Sequence, residues 1–345
     1  MQEAAVQALQ SMLPAASCDF GCTSLPNLLR SPACDSDSAG RFMKRLLTAI
    51  ALAAAWGFSV PVQAAPNWLL PEGIKTVEVN GYPMAYQEAG SGTPLVLVHG
   101  AMNDYRAWYL QVPEFAKKYH VIAVSLRHYY PEKWNGQGGD FSIAQHADDV
   151  AAFIKALNLG KVHLLGHSRG GAVAVNVAKR HPEVIRTLIL EDASGLETLL
   201  PDTPETQKMA AETKGLIDTL RKNLATGDVE MTAREFTNAL GGPGTWETRR
   251  TPEQRQVVLD NMGTAAGDTG ERPVTTCGQI EEFDFPIFLV NGERSPKRYG
   301  EMFAAMRKCK ADIPAPVIIP NAAHAMNREN PAAFNAVVLD FLSHH

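Results

Sequence analysis

One segment combines the residue types and the spacing of a nucleophilic site. Residues 166–170 read GHSRG, directly after the apolar run 162–165 and directly before a stretch rich in Ala and Val that reaches Arg180. A serine flanked by glycines at a strand–turn–helix junction is typical of a nucleophile elbow, which lifts the hydroxyl to the carboxyl end of a strand. The N-terminus of the following helix favours negative charge that develops beside it. The pattern predicts that Ser168 is a nucleophile.

A serine hydroxyl attacks poorly near neutral pH and needs an adjacent base. His324 is the best candidate, because it follows the last apolar run, 317–319, on a short loop and precedes the closing helix. His167 lies inside the elbow and His99 lies in the turn before Gly100, so both are weaker candidates. We therefore expect the base to come from the last loop of the chain.

These segments resemble the α/β-hydrolase superfamily. The resemblance covers nearly all of the chain after residue 64, and it depends on the elbow, on His99-Gly100, on GERS at 292–295 and on PNAAH at 320–324. It implies acyl transfer at an ester, lactone, thioester or amide carbonyl, because the dehalogenases and epoxide hydrolases of this fold use an aspartate at the elbow. Hydrolysis of carbon–carbon bonds in diketones and cofactor-free oxygen chemistry stay open as alternatives.

The resemblance also assigns residues around the nucleophile. The backbone N–H groups of Ala101 and Arg169 would form the oxyanion hole. His99 and Arg127 are assigned to substrate binding. Arg127 follows a strand end, where ligands of α/β sheets bind, but a structural salt bridge is its alternative role. Three tryptophans are candidate walls of an apolar pocket, although such side chains are more often simply packed: Trp108, Trp134 and Trp246.

The carboxylate that would orient the histidine is not where most relatives carry it. Many relatives have the motif Gly-x-x-Asp where this chain has GERS. The aspartate of that motif is replaced here by Ser295, which cannot hold a negative charge. We favour Asp192, just after the apolar run 188–190, over Glu293 inside the turn, and Glu191 or no acid at all is the remaining alternative. Without an acid, a catalytically silent binding protein on the same scaffold is the competing interpretation.

The elements around these residues alternate between apolar runs and amphipathic helices. Asn80-Gly81 predicts a two-residue hairpin, Ser142 and Gln145 predict a capped helix start, and Asn330-Pro331 predicts the start of the last helix. The alternation predicts an α/β fold with a mostly parallel sheet of the eight-stranded type and helices on both faces over residues 65–345. The segment at about 196–282 has no convincing strand and predicts a helical cap insertion.

Composition and charge narrow the class of protein. The chain has 345 residues, 45% of them hydrophobic, a net charge of −5 and a pI near 6.1, which excludes the basic surface of a nucleic-acid-binding protein. Neither a metal-binding nor a nucleotide-binding motif is present. We expect a small-molecule substrate as the only partner, no cofactor and no metal. Whether Cys277 and Cys309 pair is left open.

The N-terminal region predicts export. Basic residues precede an apolar stretch at 46–60, and small residues permit cleavage after Ala64. We predict a signal peptide at 43–64, a periplasmic or secreted protein, and an unstructured or mis-assigned extension at 1–42. A membrane anchor is the alternative, but Pro61 makes the apolar stretch too short for a stable one.

Overall fold

The computed structural model of this chain describes residues 71–268, 270 and 273–345. The predicted extension at 1–42 and the predicted signal peptide at 43–64 lie outside these residues. In the described part of the chain, no helix is both long enough and apolar enough to cross a membrane.

Eight strands form one sheet in the order β1-β2-β4-β3-β5-β6-β7-β8. The hairpin of β1 and β2 is antiparallel, β2 is antiparallel to β4, and all other neighbours are parallel. Asn80 and Gly81 have positive φ angles of 49° and 72°, as the predicted two-residue turn requires. The strands are β1 (Lys75–Val79), β2 (Tyr82–Ala89), β3 (Pro94–Val98), β4 (His120–Val124), β5 (Val162–His167), β6 (Ile185–Glu191), β7 (Ile287–Gly292) and β8 (Val317–Ile319).

Helices connect the strands and cover the sheet. Their starts are capped as the sequence predicts: the Ser142 side chain accepts from the Gln145 N–H at 3.0 Å, and the Asn330 side chain accepts from the Ala333 N–H at 3.3 Å. The helices are α1 (Val112–Phe115), α2 (Ile143–Ala156), α3 (Arg169–Arg180), α4 (Pro204–Ala225), α5 (Val229–Gly241), α6 (Thr245–Thr248), α7 (Pro252–Asp260), α8 (Gly263–Gly267), α9 (Cys277–Glu281), α10 (Lys297–Cys309), α11 (Met326–Glu329) and α12 (Pro331–Ser343).

Two apolar clusters bury the two faces of the sheet. Successive side chains of a strand point to opposite faces, so Val96 and Val98 of β3 join one cluster with α2, α3 and α10. Leu95 and Leu97 join the other cluster with α1 and α12. The predicted α/β-hydrolase architecture, with helices on both faces of a mostly parallel sheet, is confirmed.

A helical insertion, α4 to α9, separates β6 from β7, where the sequence predicts it. Its own small core includes Trp246, Leu220 and Val258, and Met102 from the loop after β3 packs into that core. The longest insertion helix, α4, buries only Leu220 of its 22 residues. The rest of α4 is therefore available to line a cavity.

A disulfide joins Cys277 of α9 to Cys309 at the end of α10, which answers the question that the sequence leaves open. The bond ties the C-terminal end of the insertion to the helix after β7.

Replacing both cysteines by serine should lower the free energy of unfolding. A cross-link between residues 32 positions apart lowers the conformational entropy of the unfolded chain, which stabilises the folded protein by about 3–4 kcal/mol. Urea denaturation of the oxidised protein and of the double variant measures the difference, and chemical reduction of the unmodified protein is the matched control. Equal unfolding midpoints for the oxidised protein and the variant would contradict this prediction.

Candidate active site

The turn between β5 and α3 holds Ser168 in an unusual backbone conformation, with φ 54° and ψ −117°. Such a conformation costs about 1–3 kcal/mol and persists only where the surroundings fix it. Here the Ser168 N–H donates to the Glu191 carbonyl at 2.9 Å. Its own carbonyl accepts from Gly171 at 2.9 Å and from Ala172 at 3.2 Å. Hydrogen bonds to both the sheet and helix α3 therefore fix the turn.

Both glycines of the GHSRG motif are needed for this close packing. A Cβ on Gly166 would overlap the Gly170 carbonyl, and a Cβ on Gly170 would overlap the carbonyls of Val98 and His99. Helix α3 can begin directly behind Ser168 only because β3, β5 and α3 approach each other without side chains between them.

His324 is hydrogen bonded to Asp192. Its Nδ1 lies 2.9 Å from Asp192 Oδ2, and both side chains are buried. Asp192 follows the last residue of β6, and it also accepts from Asn291 Nδ2 at 2.7 Å and from Ser295 Oγ at 2.5 Å. Ser295 thus occupies the position of the acid in many relatives and donates to an acid supplied by another strand.

The other two carboxylates considered from the sequence face elsewhere. Glu293 accepts from the backbone N–H of Asn321 at 2.7 Å on the exposed surface. Glu191 is buried and accepts from the backbone N–H of Asn327 at 3.2 Å. The geometry therefore brings only Asp192, among these three, to the imidazole.

Tyr299 contacts the second nitrogen of His324. The tyrosine ring stacks on the imidazole at 4.5 Å between centroids, and its hydroxyl lies 3.4 Å from His324 Nε2. Arg298 donates to the same hydroxyl at 3.0 Å. Among the described residues no direct hydrogen bond joins Ser168 to His324, although both line one small cavity. Sequence reasoning missed Tyr299, since nothing in the pattern around it singles it out.

Burial dominates the electrostatics of the His324–Asp192 pair. It lowers the pKa of His324 well below its usual value, and the positive charges of Arg298, Arg328 and Arg250 act in the same direction. Burial raises the pKa of Asp192 to about 7, against the opposing hydrogen bonds from Ser295 and Asn291. His324 is therefore neutral near pH 7, which is the form that a general base needs.

The predicted oxyanion residues lie beside the nucleophile. Ala101 and Arg169 line a cavity together with Ser168, and Arg169 is the first residue of α3. The Arg169 guanidinium pairs with Asp268 at 3.2 Å. His167 donates through Nε2 to the His324 carbonyl at 2.8 Å and so holds the last loop against the elbow.

The assignment of His99 to substrate binding is corrected by the structure. His99 is fully buried, its Nε2 accepts from the Leu126 N–H at 3.1 Å, and its Nδ1 therefore donates to the Gly100 carbonyl at 2.8 Å. Burial lowers the pKa of His99 to about 4, so the ring is neutral. Both ring nitrogens are used to fix the turn that carries Ala101.

The assignment of Arg127 to substrate binding is corrected as well. Its guanidinium binds both oxygens of Asp149, at 2.8 and 3.0 Å, and lies 3.1 Å from Asp140. Only 3% of the Arg127 side chain is exposed, and the residue lines none of the cavities at Ser168. The alternative role, a structural salt bridge, is the one the structure shows.

A cavity of about 660 Å³ extends from Ser168 beneath the insertion. None of the three tryptophans lines it: Trp108 and Trp246 are buried in apolar cores, and Trp134 stacks on His128. Its apolar wall comes from the insertion, the loop after β3 and α10: Met102, Leu200, Met209, Leu216, Phe236 and Met302.

The sequence profile of the alpha/beta hydrolase family matches residues 95–337, most of the chain. This chain belongs to the alpha/beta hydrolase family. It is a hydrolase, in keeping with its relatives. In the described residues no group of three or more His, Cys, Asp or Glu side chains could hold a metal ion.

Individual relatives match nearly their full lengths. The chain is 24% identical over 281 residues to (E)-2-((N-methylformamido)methylene)succinate hydrolase of Acinetobacter baylyi, which covers 78% of this chain and 97% of that protein. A thermophilic esterase from Thermogutta terrifontis has a TM-score of 0.61 and 26% identity, over 78% of this chain and 97% of its own. The enol-lactonase of Burkholderia xenovorans has a TM-score of 0.62 and 20% identity, over 78% and 99%. At that identity the likeness to the lactonase shows the fold alone.

Replacing Asp192 by Asn should lower kcat for a small ester by about 10³–10⁴-fold, because the amide cannot stabilise the imidazolium and favours the wrong tautomer of His324. Glu293→Gln is the matched control and should leave kcat within about threefold, since Glu293 only accepts from the Asn321 backbone. Steady-state kinetics with both purified variants measures the ranking. A larger loss in Glu293→Gln than in Asp192→Asn would overturn the assignment of the acid.

Activity should rise with pH through about 7, because the Asp192 carboxylate must be ionised and burial has raised its pKa to about 7. The midpoint belongs to the His324–Asp192 pair as a unit. Ser295→Ala removes a hydrogen bond that favours the ionised form, so the midpoint of the kcat/KM profile should move upward by about one pH unit. Ser295→Thr keeps a hydroxyl and should retain the original midpoint. An unchanged profile in Ser295→Ala would show that Ser295 does not tune this carboxylate.

Proposed function

We propose that this chain is an exported serine hydrolase that cleaves an ester, a lactone or a related acyl bond of a small molecule through an acyl-enzyme. The observation that carries the proposal is the 2.9 Å hydrogen bond between His324 and Asp192 at the wall of the cavity that also exposes Ser168. Ser168, His324 and Asp192 would act as nucleophile, base and orienting acid.

The first half of the reaction forms the acyl-enzyme. The Ser168 hydroxyl attacks the carbonyl carbon while His324 Nε2 accepts its proton. The Tyr299 hydroxyl lies 3.4 Å from that nitrogen, so the Ser168 hydroxyl has to take its place. Such catalytic hydrogen bonds are often long in the absence of substrate. Asp192 stabilises the imidazolium through Nδ1.

The negative charge of the intermediate is stabilised by the N–H groups of Ala101 and Arg169, each worth a few kcal/mol in the transition state. Collapse of the intermediate breaks the bond to the leaving group, which takes the proton from His324. Water then attacks the acyl-enzyme by the same route and releases the acid together with free Ser168.

The substrate class is supported by the cavity and by the relatives. A mostly apolar cavity of about 660 Å³ fits a small or medium-sized organic molecule. The esterase acts on ester bonds by name, and the Acinetobacter relative is a hydrolase named for a derivative of succinate.

Export is supported by two independent features of the chain. Residues 43–64 have the order of a signal peptide, with basic residues, an apolar stretch and small residues before the cleavage point. The Cys277–Cys309 disulfide is of a kind that persists in oxidising compartments.

A fluorophosphonate probe tests whether Ser168 is activated. The protein should be labelled at one serine, and Ser168→Ala should abolish both the labelling and the hydrolysis of short-chain esters, by about 10⁴-fold or more. Ser194→Ala is the matched control, since Ser194 lines the same cavity but its hydroxyl donates only to the Ser168 carbonyl at 3.1 Å. Folded protein that is not labelled would support the catalytically silent alternative, and cleavage of diketones but not of esters would support the carbon–carbon alternative.

A further inference from the structure

Two arginines reach the cavity at Ser168 without a carboxylate partner. Arg250, between α6 and α7, and Arg328, in α11, line the small cavity that also contains Ser168 and His324. The Nε of each is buried and has no hydrogen-bond partner. Arg328 Nη1 donates to Asn103 at 2.8 Å, which is a neutral acceptor. No ion pair in the described part of the chain includes either guanidinium.

Three other arginines that are largely withdrawn from solvent have a carboxylate partner. Arg106, Arg127 and Arg169 each lie within 3.2 Å of a carboxylate oxygen. Withdrawing a charge from water is costly unless a partner compensates it. Burial lowers the pKa of Arg250 to about 9, with the charge of Arg328 acting in the same direction, so Arg250 remains charged at pH 7. Arg328 keeps its charge because an arginine side chain stays protonated in proteins. A bound ligand is therefore the candidate for the carboxylate that Arg250 and Arg328 lack.

The nearest acids do not supply that partner. Glu329 lines the same cavity, but its Oε2 accepts from the Ala323 N–H at 2.8 Å and lies 3.8 Å from Arg294. Glu191 is fully buried, its carboxylate accepts from the Asn327 N–H at 3.2 Å, and burial raises its pKa well above the usual value, which disfavours the charged form. The charges of Arg250 and Arg328 are left to act on the cavity.

A second cavity shares these two arginines with the first and is not lined by Ser168. It has a volume of about 260 Å³ and its wall includes Arg249 and Arg294 as well as Arg250 and Arg328. Arg250 and Arg328 belong to the walls of both cavities, as does Glu329, and the first of these cavities is also lined by Ser168. A molecule that reaches Ser168 with its carbonyl group can place an anionic end against the two arginines.

We infer that Arg250 and Arg328 bind a carboxylate of the substrate, so that the preferred substrates are esters, lactones or amides that carry a free carboxylate a few bonds from the carbonyl under attack. Guanidinium groups match the two oxygens of a carboxylate in geometry as well as charge. The inference deepens the proposed function and rests on it, since it assigns a substrate class to the same site.

A matched pair of substrates tests the inference. Monoethyl glutarate and ethyl glutaramate have the same shape, but the first ends in a carboxylate and the second in a neutral carboxamide. A hydrogen bond to a charged group contributes about 1.5–3 kcal/mol, so kcat/KM should favour monoethyl glutarate by about 10–100-fold. Arg250→Gln and Arg328→Gln should each reduce this preference by about tenfold or more.

Arg234→Gln is the matched control variant. Arg234 belongs to the same insertion, pairs with Glu247 at 3.1 Å and lines neither cavity, so the preference should stay as in the unmodified protein. An ester of the same length that ends in a phosphonate completes the series. Its use in preference to monoethyl glutarate would overturn the choice of carboxylate.

A binding measurement separates this inference from the proposed function and needs no arginine variant. Calorimetric titration of the Ser168→Ala protein should show that monoethyl glutarate binds at least about tenfold more tightly than ethyl glutaramate. Equal binding of the two, in a protein whose unmodified form is labelled at Ser168 by the fluorophosphonate, would overturn the carboxylate subsite and leave the serine hydrolase intact. Absence of labelling would overturn the proposed function itself.

Discussion

The contact between three backbone segments at the nucleophile turn is the constraint on which the rest of the site depends. Because Gly166 and Gly170 carry no side chains, β3, β5 and the first turn of α3 meet in van der Waals contact. This contact forces Ser168 to a φ of 54° and lifts its side chain above the end of the sheet. Three other segments lie beside Ser168 because they stand at the carboxyl ends of parallel strands: the His99-Gly100 turn, the end of β6 and the last loop. The site is thus a property of the sheet edge and is positioned before any ligand binds.

The charge distribution around this edge favours reactions that generate negative charge. Arg250, Arg298 and Arg328 lower the pKa of His324, and Asp192 is the carboxylate that contacts the imidazole. Ser295 and Asn291 donate to Asp192 and so favour its ionised form. A buried carboxylate with three donors can replace the acid that many relatives carry at the position of Ser295. The same cations that disfavour the imidazolium would favour an oxyanion on the carbonyl oxygen, and the proposed carboxylate site at Arg250 and Arg328 would extend this preference to an anionic substrate.

Much of the fold follows from the sequence, because apolar runs, turn residues and helix caps are local signals. The Asn80-Gly81 hairpin, the cap at Ser142 and the elbow at 166–170 are all present where the sequence predicts them. Side-chain partners are not local. The roles assigned to His99 and Arg127 were wrong because each side chain is engaged by a residue more than 20 positions away.

The same limit applies to the residues that sequence reasoning missed. These residues lie far apart in the sequence: Tyr299 in the helix after β7, Arg250 in the insertion and Arg328 in the last loop region. Only the packed chain brings them to Ser168. Chain order could not choose between Asp192 and Glu293, since both lie between Ser168 and His324. The 2.9 Å contact of Asp192 with His324 makes that distinction.

Trapping the acyl-enzyme shows whether Ser168 is the nucleophile. The protein is mixed with a chromogenic ester such as 4-nitrophenyl acetate, quenched in acid within the first turnovers and digested for peptide mass spectrometry. We expect one acetyl group on the peptide that contains Ser168, formed as fast as the first equivalent of nitrophenol is released. Turnover without an adduct, or an adduct on another residue that turns over at the same rate, would contradict it.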